Sequence, residues 1–197
     1  MRRKTLVIMV KEPRPGRVKS RLGREIGMVR AAWWFRRQAL SLIRRLRDPR
    51  WQIVLAVAPD RDGLRSRIWP RDLARAPQGQ GDLSARMGRM LRSMPPGPVC
   101  VIGADIPGIT RAHIAEAFAA LGRVEVVFGP AEDGGYWLVG MARRQAVHPG
   151  VFKSVRWSTE HALSDSLATL GDRSVACVAT LADVDTYADL RRLTPKI

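Results

Sequence analysis

Cysteine, lysine and long apolar runs are all scarce in this chain, and each scarcity excludes something. Only Cys100 and Cys177 occur in 197 residues, each in an apolar, strand-like run and neither with partners at metal-ligand spacing. A disulfide framework and a cysteine-built metal centre are therefore excluded, both thiols are expected to be buried, and a reducing, cytoplasmic setting is expected. No apolar run approaches the ~18 residues that span a bilayer. The N-terminus MRRKTLVIMVKEP is basic, but its apolar stretch is only Leu6–Val10, with Lys11 and Glu12 directly behind. That is too short for a secretory leader. Three histidines, His113, His148 and His161, have no carboxylate or cysteine at metal spacing and receive no role.

Five lysines stand among 34 basic residues, so a net charge of +16 is carried almost wholly by arginine. It is unevenly placed: residues 1–75 hold 21 bases against 6 acids, the remainder 13 against 12. Such asymmetry can mark a polyanion-binding surface. It fits an arginine-favouring codon usage equally well, and no basic motif interleaved with aromatics or helix-turn-helix spacing is present. A nucleic-acid partner is not expected.

What is present is alternation. Strand-like runs fall at Thr5–Val10, Trp51–Ala58, Val99–Gly103, Val124–Phe128, Tyr136–Val139 and Val175–Ala179. Most are continuous rather than alternating, as in strands buried on both faces. Helical patterns lie between them: Met28–Arg47, with Ala32, Phe35, Ala39, Leu42, Ile43 and Leu46 on one stripe and arginines opposite, then Asp82–Met94, Thr110–Leu121, Ser158–Leu170 and a short Thr186–Leu193. Thr110 is placed as an N-cap, and Ser158–Glu160 reads as a capping start. The pattern predicts an α/β fold, a single three-layer α/β/α domain over residues 1–197 with a mainly parallel sheet.

Six segments carry chemistry. Lys11–Leu22 (KEPRPGRVKSRL) follows the first strand; two prolines stiffen it, Gly16 relieves it, and Lys11, Arg14, Arg17, Lys19 and Arg21 crowd it. At the carboxyl end of a strand such a loop can clamp phosphate by side-chain charge; it can also be a surface loop. It lacks the spacer and glycine of a Walker A loop. Val99–Thr110 (VCVIGADIPGIT) ends a buried strand in Asp105, suited to Mg²⁺ or Mn²⁺ or to capping the next turn. Gly129–Gly140 (GPAEDGGYWLVG) joins two strands through Asp133, Gly134 and Gly135, either as a plain hairpin turn or as a turn that lets a ligand approach the backbone. Leu181–Leu190 brings Asp183, Asp185 and Asp189, with Asp185 a second metal ligand or Asp183 or Asp185 an N-cap. Gln78–Met87 offers amides and a carboxylate ahead of a helix. Val155–Glu160 offers Trp157 as a stacking plate with Ser158 and Thr159, or as a core residue.

KEPRPGRVKSRL, QGQGDLSARM, IGADIPGIT, GPAEDGGYWLVG, VRWST and DVDTYADL together resemble, in order and spacing, the radical-SAM/selenodomain-associated transferases, a glycosyltransferase family linked to arsenosugar biosynthesis. The likeness runs over residues 6–190. More distantly the pattern is similar to 2-phospho-lactate guanylyltransferase and the molybdenum-cofactor nucleotidyltransferases. All share the nucleotide-diphospho-sugar transferase (GT-A) fold. The resemblance implies that Lys11, Gly16, Lys19 and Arg21 contact donor phosphates, and that Gln80, Gly81 and Asp82 lie near the base or sugar. It implies a divalent metal on Asp105 and Asp185, and an acceptor side formed by Asp133, Gly134, Gly135, Trp157 and Ser158. Asp133 is the candidate base and Lys19 an electrostatic catalyst. Ser20 stands where the family has threonine, and a single Asp105 stands where many glycosyltransferases carry Asp-x-Asp, an arrangement closer to nucleotidyltransferases.

Two reactions are therefore expected to compete: sugar transfer from a nucleotide-diphospho sugar to a small-molecule acceptor, or transfer of a nucleoside monophosphate from a triphosphate to a phosphorylated small molecule. A third reading, a polyanion-binding surface on a degenerate fold, is opposed by Asp105, Asp133 and Asp185, which would repel a polyanion.

Overall fold

A strand with no polar alternation must be covered on both faces, and β1 (Thr5–Lys11) is. In this computed structural model, which describes residues 3–193, Leu6, Ile8 and Val10 point into one apolar layer and Val7 into the other. The first layer is closed by Ala32, Phe35, Ala39, Leu42 and Ile43 of α2 (Met28–Arg45) and by Ile114, Ala117 and Phe118 of α5 (Arg111–Ala120). The second is closed by Met87, Met90 and Leu91 of α4 (Leu83–Ser93) and Ala162 of α6 (Ala162–Ala168). Each fully buried Leu or Ile contributes roughly 1.5–3 kcal/mol, so both faces of β1 hold the three-layer stack together.

β1 is hydrogen-bonded in parallel to β2 (Gln52–Ala58) and β4 (Val99–Gly103), and β3 (Ala74–Pro77) continues in parallel beyond β2. On the other flank β6 (Tyr136–Met141) runs antiparallel to both β4 and β5 (Val126–Pro130), and β7 (Val175–Cys177) is parallel to β5. The order is β3-β2-β1-β4-β6-β5-β7. The order reverses between β1 and β4, and ligands of open α/β sheets bind at the carboxyl ends of strands at such a point. Because β6 alone is reversed, its first residues join the carboxyl ends of β1, β4 and β5 on the same edge. Segments following β1, β3 and β4, the β5–β6 turn and the stretch after β7 therefore all meet there.

Several local expectations change. The end of the cationic segment, from Ser20 on, is helical and opens α1 (Ser20–Ile26). α3 (Asp60–Arg65) and β3 lack an apolar repeat and were not legible. β3 is an edge strand, which is why Pro77 is tolerated; Arg75 gathers the carbonyls of Gly63, Leu64, Ser66 and Trp69 beside it. The helix read from Ser158 starts only at Ala162, after a turn in which Ser158 has φ +60°. Thr110 does cap α5, accepting from the His113 N–H in a capping box. Arg45 is not simply solvated: its guanidinium donates to Pro107 O at 2.7 Å and Ile109 O at 2.8 Å, holding the loop behind Asp105. Cys100 is buried but Cys177 is exposed, contrary to expectation. Among the described residues no helix is long and apolar enough to cross a membrane.

Candidate active site

Lys19 organises the edge. It adopts φ +45° as α1 begins, turning its side chain inward until only 6% is exposed. Its Nζ lies 2.9 Å from Asp105 Oδ2, just past β4, and donates to Asp185 Oδ1 at 2.6 Å, from the segment after β7. Burial by itself would lower the lysine pKa; the charge of Asp105 and the hydrogen bond and charge of Asp185 outweigh it and hold the ammonium above its ordinary value. Arg21, the second residue of α1, donates to Asp185 Oδ2 at 3.2 Å.

Asp105, Asp183 and Asp185 each offer a carboxylate oxygen, and all lie within 4.8 Å of one another. Neither Asp183 nor Asp185 caps the following helix. For α7 (Tyr187–Leu193) that work is done by Asp189, which accepts from the Asp185 and Thr186 N–H groups, and by Thr186 Oγ1, which accepts from Asp189 N–H. Asp183 is thus left to the site, where burial, then the charge of Asp185, with smaller pushes from Asp105 and Asp133 against the pull of Lys19, raises its pKa to about 6. Hard carboxylate oxygens in this number suit Mg²⁺ or Mn²⁺. Asp183 was named in the sequence only as an alternative; its signal was Asp-x-Asp on extended chain, which puts both carboxylates on one side.

Two cavities flank the cluster. The first, about 520 Å³, is lined among others by Lys11, Gln78, Gly81, Asp82, Arg86 and Asp105. Gln78 is buried and donates from Nε2 to Val10 O and Ala56 O, clamping the ends of β1 and β2. Gln80, not Gln78, was singled out from sequence, yet Gln80 is exposed and lines neither cavity. Arg86 and Arg89 were missed; Arg86 Nε donates to Gly81 O, and Arg89 donates to Gln78 O and Gln80 O. Asp82 lines the cavity while accepting from Ala85 N–H as the cap of α4. Gly16, at φ +75°, lies in an exposed loop off both cavities.

The second cavity, about 320 Å³, shares Asp105, Leu83, Met87 and Tyr136 with the first and adds Asp133, Gly135, Trp157, Ser158, Asp183 and Asp185. The Ala131–Gly135 turn is a hairpin and a lining at once. Asp133 Oδ1 accepts from Gly135 N–H at 3.0 Å, and Gly134, at φ +83°, sits so close to the Glu160 backbone that a Cβ would collide with it. Gly134 therefore seats the turn rather than meeting a ligand. Trp157 makes edge contacts with Tyr136 and Phe152, at centroid distances of 5.9 and 6.3 Å, and donates from Nε1 to Ser84 Oγ at 2.7 Å. It is a partly buried wall tied to α4.

Five loops converging on the switch point of a 3-2-1-4-6-5-7 sheet define the nucleotide-diphospho-sugar transferase fold, and comparison with solved structures agrees. A Desulfovibrio desulfuricans protein described as a nucleotide-diphospho-sugar transferase superposes with a TM-score of 0.85 at 25% identity, over 99% of this chain and 87% of that one. Rv0371c of Mycobacterium tuberculosis, in a complex with manganese, aligns at TM-score 0.56 and 18% identity over 99% of both chains. The 4-diphosphocytidyl-2C-methyl-D-erythritol synthase of Anaerococcus prevotii aligns at 0.58 and 10%, over 97% and 96%. At those lower identities the likeness is one of fold. Among curated proteins none matches the sequence. The chain belongs to the family described as an uncharacterized protein conserved in bacteria (DUF2064), whose profile matches residues 42–159. That span contains Asp105 and Asp133 and stops short of Lys19 and Asp185 on either side.

Proposed function

We propose that this protein is a divalent-metal-assisted transferase that moves a sugar from a nucleotide-diphospho donor to a small acceptor. The observation carrying the reading is the Asp105–Asp183–Asp185 cluster at the junction of two cavities on the carboxyl edge of β1 and β4. The nucleotide occupies the first cavity, its phosphates beside Lys11 and Arg86, and the acceptor the second. Magnesium or manganese would be held by Asp105, Asp185 and Asp183, and when bound would offset charge growing on the leaving diphosphate. Lys19 supplies fixed positive charge at the same place without reorganisation. Asp133, exposed and oriented by Gly135 N–H, takes the acceptor hydroxyl proton as the new C–O bond forms and the sugar–phosphate bond breaks. The narrower assignment to arsenosugar-type transferases linked to radical-SAM proteins rests on the six sequence motifs, and the cytoplasmic setting on the free thiols.

Metal ligands drawn from separated segments rather than one Asp-x-Asp after β4 favour a second reading, nucleotidyl transfer with release of pyrophosphate. The by-product separates the two: nucleoside diphosphate or pyrophosphate. A thermal-shift panel of nucleotide sugars and triphosphates, each with and without Mn²⁺, is the direct test. A ligand at 100 times its dissociation constant adds about 2.7 kcal/mol. Stabilisation by a nucleotide sugar that needs Mn²⁺ and vanishes in folded Asp105→Ala is expected; Mn²⁺-dependent stabilisation that survives in Asp105→Ala removes Asp105 from the site.

A further inference from the structure

In a chain with 34 basic residues and only 18 acidic ones, six of the acids gather at one place. Asp105, Glu132, Asp133, Asp183, Asp185 and Asp189 line the second cavity or the adjoining 350 Å³ hollow that opens between the β5–β6 turn and α7. Against them stand three cations, and among the described residues each is already held by a carboxylate of the cluster. Lys19 is held by Asp105 and Asp185, Arg21 by Asp185 and Arg192 by Asp189. The formal balance is −3, and a divalent ion on the cluster would leave −1 before any donor phosphate arrives. The first cavity differs: there Lys11 and Arg86 face Asp82 and Asp105.

Most of the remaining wall of the second cavity is apolar, with the Ser158 and Thr159 hydroxyls as its polar part. Tyr136 and Trp157 stand at a 64° angle beside Leu83, Met87 and Ile106. Aromatic and alkyl faces of this kind receive the C–H face of a ring or an alkyl chain. The geometry points to an acceptor that carries no phosphate or carboxylate: a neutral or amine-bearing, hydroxylated molecule with a ring or alkyl face. This rests on the transferase reading above and sharpens it, because a phosphorylated acceptor would bring a dianion to a lobe whose described cations are all engaged by carboxylates. Repulsion of that kind discriminates between substrates as effectively as attraction does. A neutral hydroxyl can be deprotonated by Asp133; an amine is drawn in by the field.

The lobe's sign can be read without knowing the acceptor. In a Cys177→Ser background, Thr159→Cys places a thiol on the cavity wall, and Ala131→Cys is the second position should the first fold poorly. Each is treated with the cationic trimethylammonioethyl and the anionic sulfonatoethyl methanethiosulfonate, and the rate ratio is divided by that of a small free thiol. We expect a normalised preference of ~10-fold or more for the cation at low salt, shrinking as salt is added. Methyl glucoside is expected to protect the thiol at lower concentration than glucose 6-phosphate. Equal or faster reaction with the anionic reagent, or better protection by glucose 6-phosphate, overturns the inference. In parallel, the Mn²⁺-dependent stabilisation of the unaltered protein by nucleotide sugars reads the transferase proposal. Loss of that response with the cationic preference intact sinks the proposal and leaves the sign of the lobe standing; the reverse result sinks the acceptor class alone.

Discussion

Replacing Lys19 by methionine keeps an unbranched side chain of similar length and removes the ammonium that both Asp105 and Asp185 contact. The side chain is only 6% exposed, and its ammonium makes contacts of 2.9 and 2.6 Å with Asp105 and Asp185. Deleting one partner of a fully buried ion pair costs about 3–5 kcal/mol, because the other charge is stranded. Here the partners are 36% and 38% exposed and water can partly solvate them, so about 2 kcal/mol is expected. For a chain of this length that is a fall of about 4–8 °C in melting temperature. Because its charge is held in place by Asp105 and Asp185, this loss applies throughout the ordinary pH range. Divalent metal should behave oppositely. With no ammonium competing for the same oxygens, Mn²⁺ should stabilise Lys19→Met at lower concentration than it stabilises the parent. The assay is thermal unfolding followed by circular dichroism across an Mn²⁺ titration. A metal-free melt within ~0.5 kcal/mol of the parent, or a requirement for more Mn²⁺, would refute the view that Lys19 competes with the metal for the carboxylates of Asp105 and Asp185.

Two further changes test the neighbourhood. Asp183 has a folded pKa of about 6 against an ordinary 3.8, so between those values the metal-free native state binds more protons than the unfolded chain and stability falls as pH rises. Asp183→Asn should flatten that slope and, after allowing for its half exposure, stabilise the metal-free protein by about 1 kcal/mol at neutral pH while weakening its response to Mn²⁺; urea midpoints at pH 4.5 and 7 (roughly the two ends of the window) that shift equally in parent and variant would contradict this. Gly134→Ala combines a positive φ with a Cβ driven into the Glu160 backbone, and should cost at least about 2 kcal/mol and detach the β5–β6 turn from α6. Unchanged melting and unchanged amide exchange at Leu163, whose N–H donates to Gly134 O, would show the turn can relax.

How far the site was readable depended on whether local chain direction was readable. Asp105 and Asp133 stand out in the sequence because each ends or precedes an apolar strand, where a carboxylate has no packing reason to be. Gln80 was preferred to Gln78 because nothing in QGQGD says which amide turns inward; that is set by the carbonyls of Val10 and Ala56, 68 and 22 residues away in the chain. Lys19 was expected on phosphate, but α1 and its left-handed start aim it at carboxylates from two other segments. Arg45 read as a solvated helix face because the loop it holds lies more than 60 residues further on.

The sequence by itself determined the class of fold, since continuous apolar strands alternating with amphipathic helices can be satisfied only by a sheet covered on both faces. It also determined which loops carry charge. The tertiary structure alone decided how those charges are partnered. Reversal of β6 and the β1/β4 switch place five sequence-distant loops on one edge, and only there do six acids from a basic chain become one electrostatic surface. Coulomb interactions depend on distance in space, and no spacing along the chain encodes it.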